Sequence, residues 1–307
     1  MPWFFTVCFA LLGAVVGSFL NVCIHRVPRG ESIAHPGSHC ACGAPIPWYL
    51  NVPVLSWLLL RGRAACCGRR FGVRYPIVEA LTGTLFALCW VWLPWQQAVA
   101  GMLFCAMLVV LAFIDLDFMH LPDAPNIGLA AAGLVCSFAL PGLHDVAPQK
   151  FWLVSALASA GISLVGVLVG AGLLYWFRLL ASVVAGREAL GEGDIILLGG
   201  IGAFCGWRGA VFALFGGAVL GALILLPPTL AKRICRRDAD VEAEGRAASL
   251  ASCEGDEMAE FSGAGFGREV PFGPWLALGA LVWFLWARKP FGSWLDAVFA
   301  VFDGLAK

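Results

Sequence analysis

Residues 98–123 read AVAGMLFCAMLVVLAFIDLDFMHLPD, an apolar run from Ala98 to Ile114 followed at once by Asp115, Asp117 and then Pro122. The run is close to the roughly 20 apolar residues that a helix needs to cross a bilayer. Carboxylates at the edge of such a run are costly to bury and usually functional. The stretch therefore predicts a membrane helix that ends, before the proline, in functional acidic residues.

The composition of the whole chain agrees with a membrane protein. The 307 residues are 60% hydrophobic and 13% charged, and the mean hydropathy is +0.84. Soluble domains average roughly 45–50% apolar and 25% charged residues, so a soluble enzyme is excluded and the lipid bilayer is the expected surroundings. The formal net charge is zero. Without a basic excess to neutralise phosphates, no nucleic-acid partner is expected.

Apolar runs separated by polar loops predict an all-α, polytopic membrane protein with about eight transmembrane helices. Two of the runs, Ile127 to Leu140 and Ile195 to Trp207, are shorter than a full crossing, so their helices must include polar residues at the ends to span the bilayer. The other six are Trp3 to Val22, Pro76 to Pro94, Ala98 to Ile114, Phe151 to Leu180, Ala210 to Leu230 and Val270 to Trp286.

These runs divide the chain into four parts. We expect a first transmembrane helix at 1–23, a cysteine-containing loop domain at 24–75, a seven-helix membrane core at 76–287 and a tail at 288–307. Within the core, residues 232–268 are first basic and then acidic and alanine-rich. A charge pattern of this kind predicts a flexible, solvated insert.

The distribution of Lys and Arg predicts the orientation. Loops on one side of the eight spans hold fifteen basic residues and loops on the other side hold five, and the richer side of a membrane protein faces the cytoplasm. The loop domain and the insert are therefore expected in the cytoplasm, with both termini outside. The richer set is Arg26, Arg29, Arg61, Arg63, Arg69, Arg70, Arg74, Arg178, Arg187, Lys232, Arg233, Arg236, Arg237, Arg246 and Arg268.

A second acidic motif, Gly191-Glu192-Gly193-Asp194, stands directly before the run that starts at Ile195. Two crossings separate Asp115 from Asp194, so both carboxylates are expected at the cytoplasmic face. Two carboxylates close together in a poorly hydrated place do not both ionise easily, so one keeps its proton while the other acts as base on water. Peptide hydrolysis requires this division of roles. Gly191 and Gly193 would let a substrate backbone approach the acid closely.

Position and spacing alone leave other interpretations open. Asp194 could be a helix N-terminal acid stabilised by the helix dipole, and Asp117 and Asp123 could be ordinary loop acids. The acids could instead form a proton or cation relay in a proton-coupled transporter. The protein could also be a catalytically inactive membrane scaffold organised by the cysteine loop. Clustering of charge at one face, with few ionisable residues deep in the spans, favours the peptidase over the transporter.

An ordered set of motifs along nearly the whole chain resembles the type IV prepilin peptidases, the bifunctional leader peptidases and N-methyltransferases that also serve type II secretion. The motifs are Gly17-Ser18-Phe19-Leu20-Asn21-Val22, His25-Arg26-Val27-Pro28, Pro45-Ile46-Pro47-Trp48-Tyr49, Leu55-Ser56-Trp57, Arg74-Tyr75-Pro76-Ile77-Val78-Glu79, the acidic segments at 115–123 and 191–194, and Val270-Pro271-Phe272-Gly273-Pro274.

The resemblance implies an aspartic peptidase of the bacterial inner membrane, with catalytic acids at Asp115 and Asp194 and accompanying acids at Asp117 and Asp123. Members of this family remove a short basic leader from prepilins or pseudopilins after a Gly, at the cytoplasmic membrane face. They then methylate the new N-terminal amine with S-adenosylmethionine. The family usually has a Lys two residues after the second catalytic Asp, where this chain has Ile196.

The cysteine loop departs from the family pattern of two Cys-x-x-Cys pairs. Here Cys40 and Cys42 are one residue too close, and Cys66 and Cys67 are adjacent, with Ala64 at an expected cysteine position. Four thiols have the right chemistry for a distorted tetrahedral zinc site. The alternative is four reduced, unliganded cytosolic thiols, since disulfides are not expected in the cytoplasm.

The methyl transfer has no sequence motif of its own and rests on the resemblance. Gly199-Gly200-Ile201-Gly202 lies inside a membrane run, where small residues favour close helix packing over nucleotide binding. Glu79, at the start of the second span, is a candidate for contact with substrate or cofactor. It could equally be a helix N-terminal acid.

Overall fold

The computed structural model describes residues 2–35, 37, 40, 42–47, 52–185, 191–250 and 271–305. Within these ranges the regular structure is helical apart from isolated bridge residues, among them the antiparallel pair Arg63 and Arg70, which confirms the all-α prediction. The α-helices are α1 (Pro2–Arg26), α2 (Leu55–Leu59), α3 (Arg74–Trp92), α4 (Trp95–Phe118), α5 (Asp123–Ala139), α6 (Trp152–Ala185), α7 (Glu192–Leu250), α8 (Gly273–Val282) and α9 (Arg288–Leu305).

In the described part of the chain, five helical segments are long and apolar enough to cross a membrane. They are Trp3–Arg29, Arg74–Trp92, Trp95–Phe118, Trp152–Val184 and Glu192–Ile224. Three of the eight predicted spans fail this criterion because α5 is short, α8 is short, and two predicted runs are joined in α7. Large apolar side chains such as Leu157 and Leu168 of α6 are exposed, which gives the bundle a surface suited to lipid.

The long helix α7 is broken at Gly206, whose φ of 68° and ψ of 178° are accessible only to glycine without strain. Contacts along α6 show that the chain reverses there, because the same part of α6 meets α7 residues from both sides of the break. The contacts are Gly166 with Gly202 and Gly206, and Gly170 with Leu198 and Ala210. Segment 192–205 therefore runs antiparallel to α6, and the segment after Gly206 runs parallel to it.

A break inside a membrane helix leaves backbone groups that neighbouring side chains must satisfy. The hydroxyl of Ser163 on α6 donates a 2.8 Å hydrogen bond to the carbonyl oxygen of Ala203. His144, in a 3₁₀ turn after α5, lies against the break, because a Cβ on Gly206 would be 3.8 Å from its Nδ1, and its Nε2 is held 2.9 Å from the Ser137 hydroxyl. The reversal at Gly206 is thus supported from two other elements.

The glycines before the break pack helices together, as their position in a membrane run predicts. A Cβ on Gly166 would lie 2.0 Å from the carbonyl oxygen of Gly202. Such an approach between α6 and α7 is sterically open only to residues without a side chain.

Helix α4 lies at the centre of the bundle and carries Asp115 on its last turn. On one face, the Phe104 ring stacks on Phe204 of α7 at 4.7 Å and contacts Phe284 at 5.2 Å. On the other face, α4 packs in a second apolar cluster with Leu20 of α1 and Val78 of α3. Burial on both sides fixes the direction in which the end of α4 points.

Among its described residues, the predicted loop domain contains the 3₁₀ turn Val27–Arg29, the short helix α2 and a tight hairpin, and the predicted tail is largely the helix α9. The predicted insert at 232–268 begins within the backbone helix of α7, and its residues from 251 onward lie outside the described ranges. The flexibility of the insert and the orientation of the chain remain predictions.

Candidate active site

Asp115 occupies the last turn of α4, where the helix is closed by a left-handed residue. Met119 has a φ of 50°, and its N–H donates to the carbonyl oxygen of Asp115 at 2.9 Å. The Asp115 side chain is buried, with 6% exposed. Its Oδ2 accepts a 2.9 Å hydrogen bond from the backbone N–H of Gly273, the first residue of α8. The carboxylate is therefore held by an element far away in sequence.

Asp194 lies in the first turn of α7 and is also buried, with 8% exposed. The two acids are close enough for the charge of Asp115 to act on Asp194. The structure thus brings together, as an acidic dyad, the two carboxylates Asp115 and Asp194 that the sequence motifs indicated. The N-terminal ends of α7 and α8 meet at this pair, and the N-terminal end of a helix favours negative charge.

Asn126, near the start of α5, connects a third helix end to the two acids, and it was not among the residues predicted from the sequence. Asn126 is fully buried in the first turns of α5, and its Nδ2 donates to the carbonyl oxygen of Gly193 at 2.9 Å. A Cβ on Gly193 would lie 2.7 Å from the Cβ of Leu121, so the start of α7 packs directly on the α4–α5 connection. In the sequence, the feature that could have indicated Asn126 is its polar amide side chain at the start of an apolar run, shortly after the acidic segment 115–123.

The other predicted acidic residues lie apart from the buried pair or at its edge. Asp117 is partly exposed and forms an ion pair with Arg74, whose guanidinium also lies 5.1 Å from the centroid of the Phe113 ring. Asp123 is exposed in the first turn of α5. Gly191 is exposed, and a Cβ there would lie 3.7 Å from Oδ2 of Asp194, so Gly191 leaves open the approach to that acid.

Glu79 is buried in α3 and connects the membrane bundle to the loop domain. Its Oε2 accepts a 2.8 Å hydrogen bond from the backbone N–H of Val54, which precedes α2. A cavity of about 920 Å³ lies next to it, between α1, α3 and the loop domain. Side chains that line the cavity include Asn21, Glu31, Trp57, Tyr75 and Glu79.

The four loop cysteines converge despite their irregular spacing. Their sulfur atoms all lie within 4.8 Å of one another, with Cys40 and Cys67 at 3.6 Å and Cys42 and Cys66 at 3.4 Å. Four thiolates bound tetrahedrally at a Zn–S distance of about 2.3 Å stand about 3.8 Å apart. The cluster therefore fits a zinc ion.

Two tight turns produce this convergence. In the first, the Gly43 N–H donates to the Cys40 carbonyl oxygen, and in the second the Gly68 N–H donates to the Ala64 carbonyl oxygen. A hydrogen bond from the backbone of Cys42 lowers the pKa of the Cys40 thiol to about 7. The hydrogen bond with the Cys42 thiol raises the pKa of Cys66 to about 12.

Comparison with known proteins identifies the family. Residues 11–93 match the Bacterial Peptidase A24 N-terminal domain, and residues 102–226 match the Type IV leader peptidase family. No solved structure matches the chain.

Proteins named prepilin leader peptidase/N-methyltransferase are similar to this chain in several bacteria. The Myxococcus xanthus protein is 41% identical over 239 residues, which cover 74% of this chain and 66% of that protein. The Klebsiella pneumoniae protein is 39% identical over 64% of this chain and 84% of its own length, and the Aeromonas hydrophila protein is 28% identical over 93% and 92%. With both domain models matched and this level of identity, the chain belongs to the type IV leader peptidase family.

Proposed function

We propose that this protein is a membrane aspartic peptidase that removes the short basic leader from type IV prepilins or type II secretion pseudopilins, after a Gly at the cytoplasmic membrane face. The observation that carries the proposal is the buried pair of Asp115 and Asp194 at the meeting point of helix ends. The names of the relatives support the substrate class.

The chemistry follows from two carboxylates in one poorly hydrated place. One carboxylate accepts a proton from water while the protonated partner donates to the oxygen of the scissile carbonyl, so no covalent intermediate forms. The exposed Gly191 beside Asp194 leaves room for an extended substrate backbone. A site at helix ends suits a substrate whose leader is polar and whose remaining segment is an apolar helix.

We further propose that the chain crosses the inner membrane eight times, with both termini outside and the acids at the cytoplasmic face. The reversal at Gly206 supports two crossings within α7, and the short helix α5 lies beside the first of these segments. The excess of Lys and Arg in the loops on the same side as Asp115 and Asp194 supports the orientation.

The position of the buried acids favours a peptidase over a proton-coupled transporter. Among the described residues, the buried carboxylates are Glu79, Asp115 and Asp194. The Arg74–Asp117 ion pair brings the start of α3 to the end of α4, so these acids lie toward one side of the bundle. A relay for protons needs ionisable groups along a path through the spans.

Methylation of the new N-terminus by S-adenosylmethionine is the second activity that we propose, supported by the names of the relatives. The cavity of about 920 Å³ is within the size range of small-molecule sites. The Trp57 indole N–H at its wall is buried without a partner among the described residues, and it could bond a polar ligand. Trp57, Glu31 and Glu79 would hold this methyl donor through an aromatic face and two carboxylates, which suit a sulfonium cation.

A structural zinc ion in the loop domain is the third element of the proposal. Cys40, Cys42, Cys66 and Cys67 would hold it, and it would crosslink the two turns that form one wall of the cavity. In a domain with little regular structure, such an ion supplies folding free energy directly.

The peptidase is tested with the purified, detergent-solubilised protein and a prepilin. We expect the wild type to cut after the leader Gly, and Asp115→Asn and Asp194→Asn to lose about 10²–10⁴-fold in rate while remaining folded. Asp123→Asn is the matched control, because it removes an exposed acid from the same region. An inert wild type, or a dyad variant that cuts at the normal rate, would contradict the proposal.

The methyltransferase is tested separately, with mature pilin and S-adenosylmethionine and with the product analysed by mass spectrometry. We expect the wild type to add one methyl group to the N-terminal amine and Glu79→Ala to lose this activity. Asp115→Asn should still methylate a pilin that has already been cut, because the cavity and the dyad are different sites. Loss of methylation in Asp115→Asn would contradict separate sites, and normal methylation in Glu79→Ala would contradict a role of Glu79 in holding the methyl donor.

A further inference from the structure

Helix α8 contacts the dyad, although its residues lie in sequence beyond both segments matched by the family models, which end at residues 93 and 226. Its first residue, Gly273, is buried and donates its backbone N–H to Oδ2 of Asp115 at 2.9 Å. A Cβ on Gly273 would lie 2.6 Å from this Oδ2 and 3.2 Å from the carboxyl carbon. Only glycine therefore allows the hydrogen bond with the Asp115 carboxylate in its present position.

The surroundings of the two acids are not equivalent. Asp115 receives the N–H at the start of α8, and His120 lies close enough for its charge to act on Asp115. For the Asp194 carboxylate, the residues that the structure describes provide no hydrogen-bond donor. A hydrogen bond to a carboxylate favours its ionised form, and so does the N-terminal end of a helix. The direct N–H bond thus favours the negative charge on Asp115.

We propose that the backbone N–H of Gly273 is a positioning group that fixes the Asp115 carboxylate and stabilises its ionised form, so that Asp115 is the general base and Asp194 carries the proton. This inference rests on the proposed peptidase function. It makes α8 the third part of the active site, next to the ends of α4 and α7.

The assignment gives a balanced reaction. Asp115 takes a proton from water as the water oxygen bonds to the scissile carbonyl carbon, and Asp194 gives its proton to the carbonyl oxygen. When the C–N bond breaks, the proton on Asp115 passes to the leaving nitrogen. Asp194 recovers its proton from the hydroxyl of the intermediate as the C=O bond of the new carboxyl group forms. The pair returns to its starting state.

The first test is Gly273→Ala, with Gly172→Ala on α6 as the matched control because nothing lies within 4 Å of a Cβ there. We expect kcat to fall by about 10²-fold in Gly273→Ala, because the added methyl group displaces Asp115. KM should stay at the wild-type value, and the acidic limb of the pH–rate profile should move to higher pH. A normal kcat, a change in KM alone or an unmoved pH profile would overturn the inference.

The second test is an amide-to-ester replacement at the Phe272–Gly273 bond, which removes the N–H and adds no atom. It keeps the inference testable if Gly273→Ala does not fold. We expect the same direction of change in kcat and in the pH profile, whereas wild-type kinetics in the ester would overturn the inference. If the wild type itself does not cut prepilin, the proposed function fails and not the role of Gly273 alone.

Discussion

The side-chain amide of Asn126 donates a 2.9 Å hydrogen bond to the carbonyl oxygen of Gly193, the residue before Asp194. Asn126 is fully buried, so Asn126→Ala leaves this carbonyl without its partner at a cost of about 1–3 kcal/mol. We expect a lower melting temperature together with at least about 10-fold slower cleavage of prepilin, because the start of α7 shifts.

Gln97→Ala is the control for Asn126→Ala. Gln97 is also buried and donates to a carbonyl oxygen, that of Gly142, but it does so at the other end of α4. Its loss should lower the melting temperature by a similar amount and leave the cleavage rate of the folded protein unchanged. Equal slowing in both variants would show that Asn126 acts only through stability.

Asp117→Asn should retain most of the peptidase activity, although Asp117 lies only two residues from Asp115. Its carboxylate is partly exposed and paired with Arg74, and exposed ion pairs contribute about 0–1 kcal/mol. The measurement is the rate of prepilin cleavage beside Asp115→Asn. A loss as large as that of Asp115→Asn would place Asp117 in the catalytic pair.

The purified protein should contain about one zinc ion per chain, measured by elemental analysis. Cys42→Ser and Cys66→Ser, which each remove one sulfur from the cluster, should lower the zinc content to background. Cys8→Ser is the control, because Cys8 lies on α1 outside the cluster. Zinc-free wild-type protein, prepared without chelators, would contradict a metal site.

Glu79→Ala should loosen the loop domain from the bundle, because Oε2 of Glu79 accepts the N–H of Val54 just before α2. We expect faster tryptic cleavage at Arg61 and Arg63, which follow α2. Glu79→Gln keeps an acceptor oxygen and should remain close to the wild type. Equal protease resistance in the alanine variant would mean that the loop domain is held by other contacts.

Acid should destabilise the protein through His144. Burial, and then the charge of Arg288, lower the pKa of His144 to about 4 from a usual value of 6.5. As the pH falls, the unfolded chain binds the proton first. Stability is therefore full above pH 6.5 and declines toward pH 4, by about 3 kcal/mol in total. Unfolding measured against pH should show this decline in the wild type and less of it in His144→Gln.

The apolar runs predicted helices, and the acidic motifs selected Asp115 and Asp194, the two buried carboxylates that the structure brings together. Apolar length predicts membrane helices well because a bilayer allows few other structures. The number of crossings does not follow from apolar length, because the break at Gly206 and the packing of the short helix α5 depend on contacts with α6 and α7. The apolar pattern predicted two runs, Ile195 to Trp207 and Ala210 to Leu230, and the structure places the break at Gly206, close to the boundary between them.

The parts of the site to which the sequence assigned no role are contacts in which one partner is a backbone group. Gly273 holds Asp115 by its N–H, and Asn126 binds the Gly193 carbonyl oxygen, so neither contact requires a charged or catalytic residue type. The cysteine cluster shows the opposite case. The residue types were correct, and two tight turns bring together thiols whose spacing alone argued against a metal site.

On the proposed eight-span topology, the segment 192–205 has a further consequence for the surrounding lipid. At about 1.5 Å per residue it rises only about 21 Å, against about 30 Å of hydrocarbon. Residues such as Leu197, Ile201 and Phe204 of this segment are buried, so lipid meets the short crossing at the neighbouring helix α5, where Ile127 and Val135 are exposed, and a thinner bilayer there relieves the hydrophobic mismatch. Because Asn126 of α5 holds the start of α7, the acyl-chain length of the lipid around α5 becomes a determinant of catalysis, with slower cleavage expected in thicker bilayers.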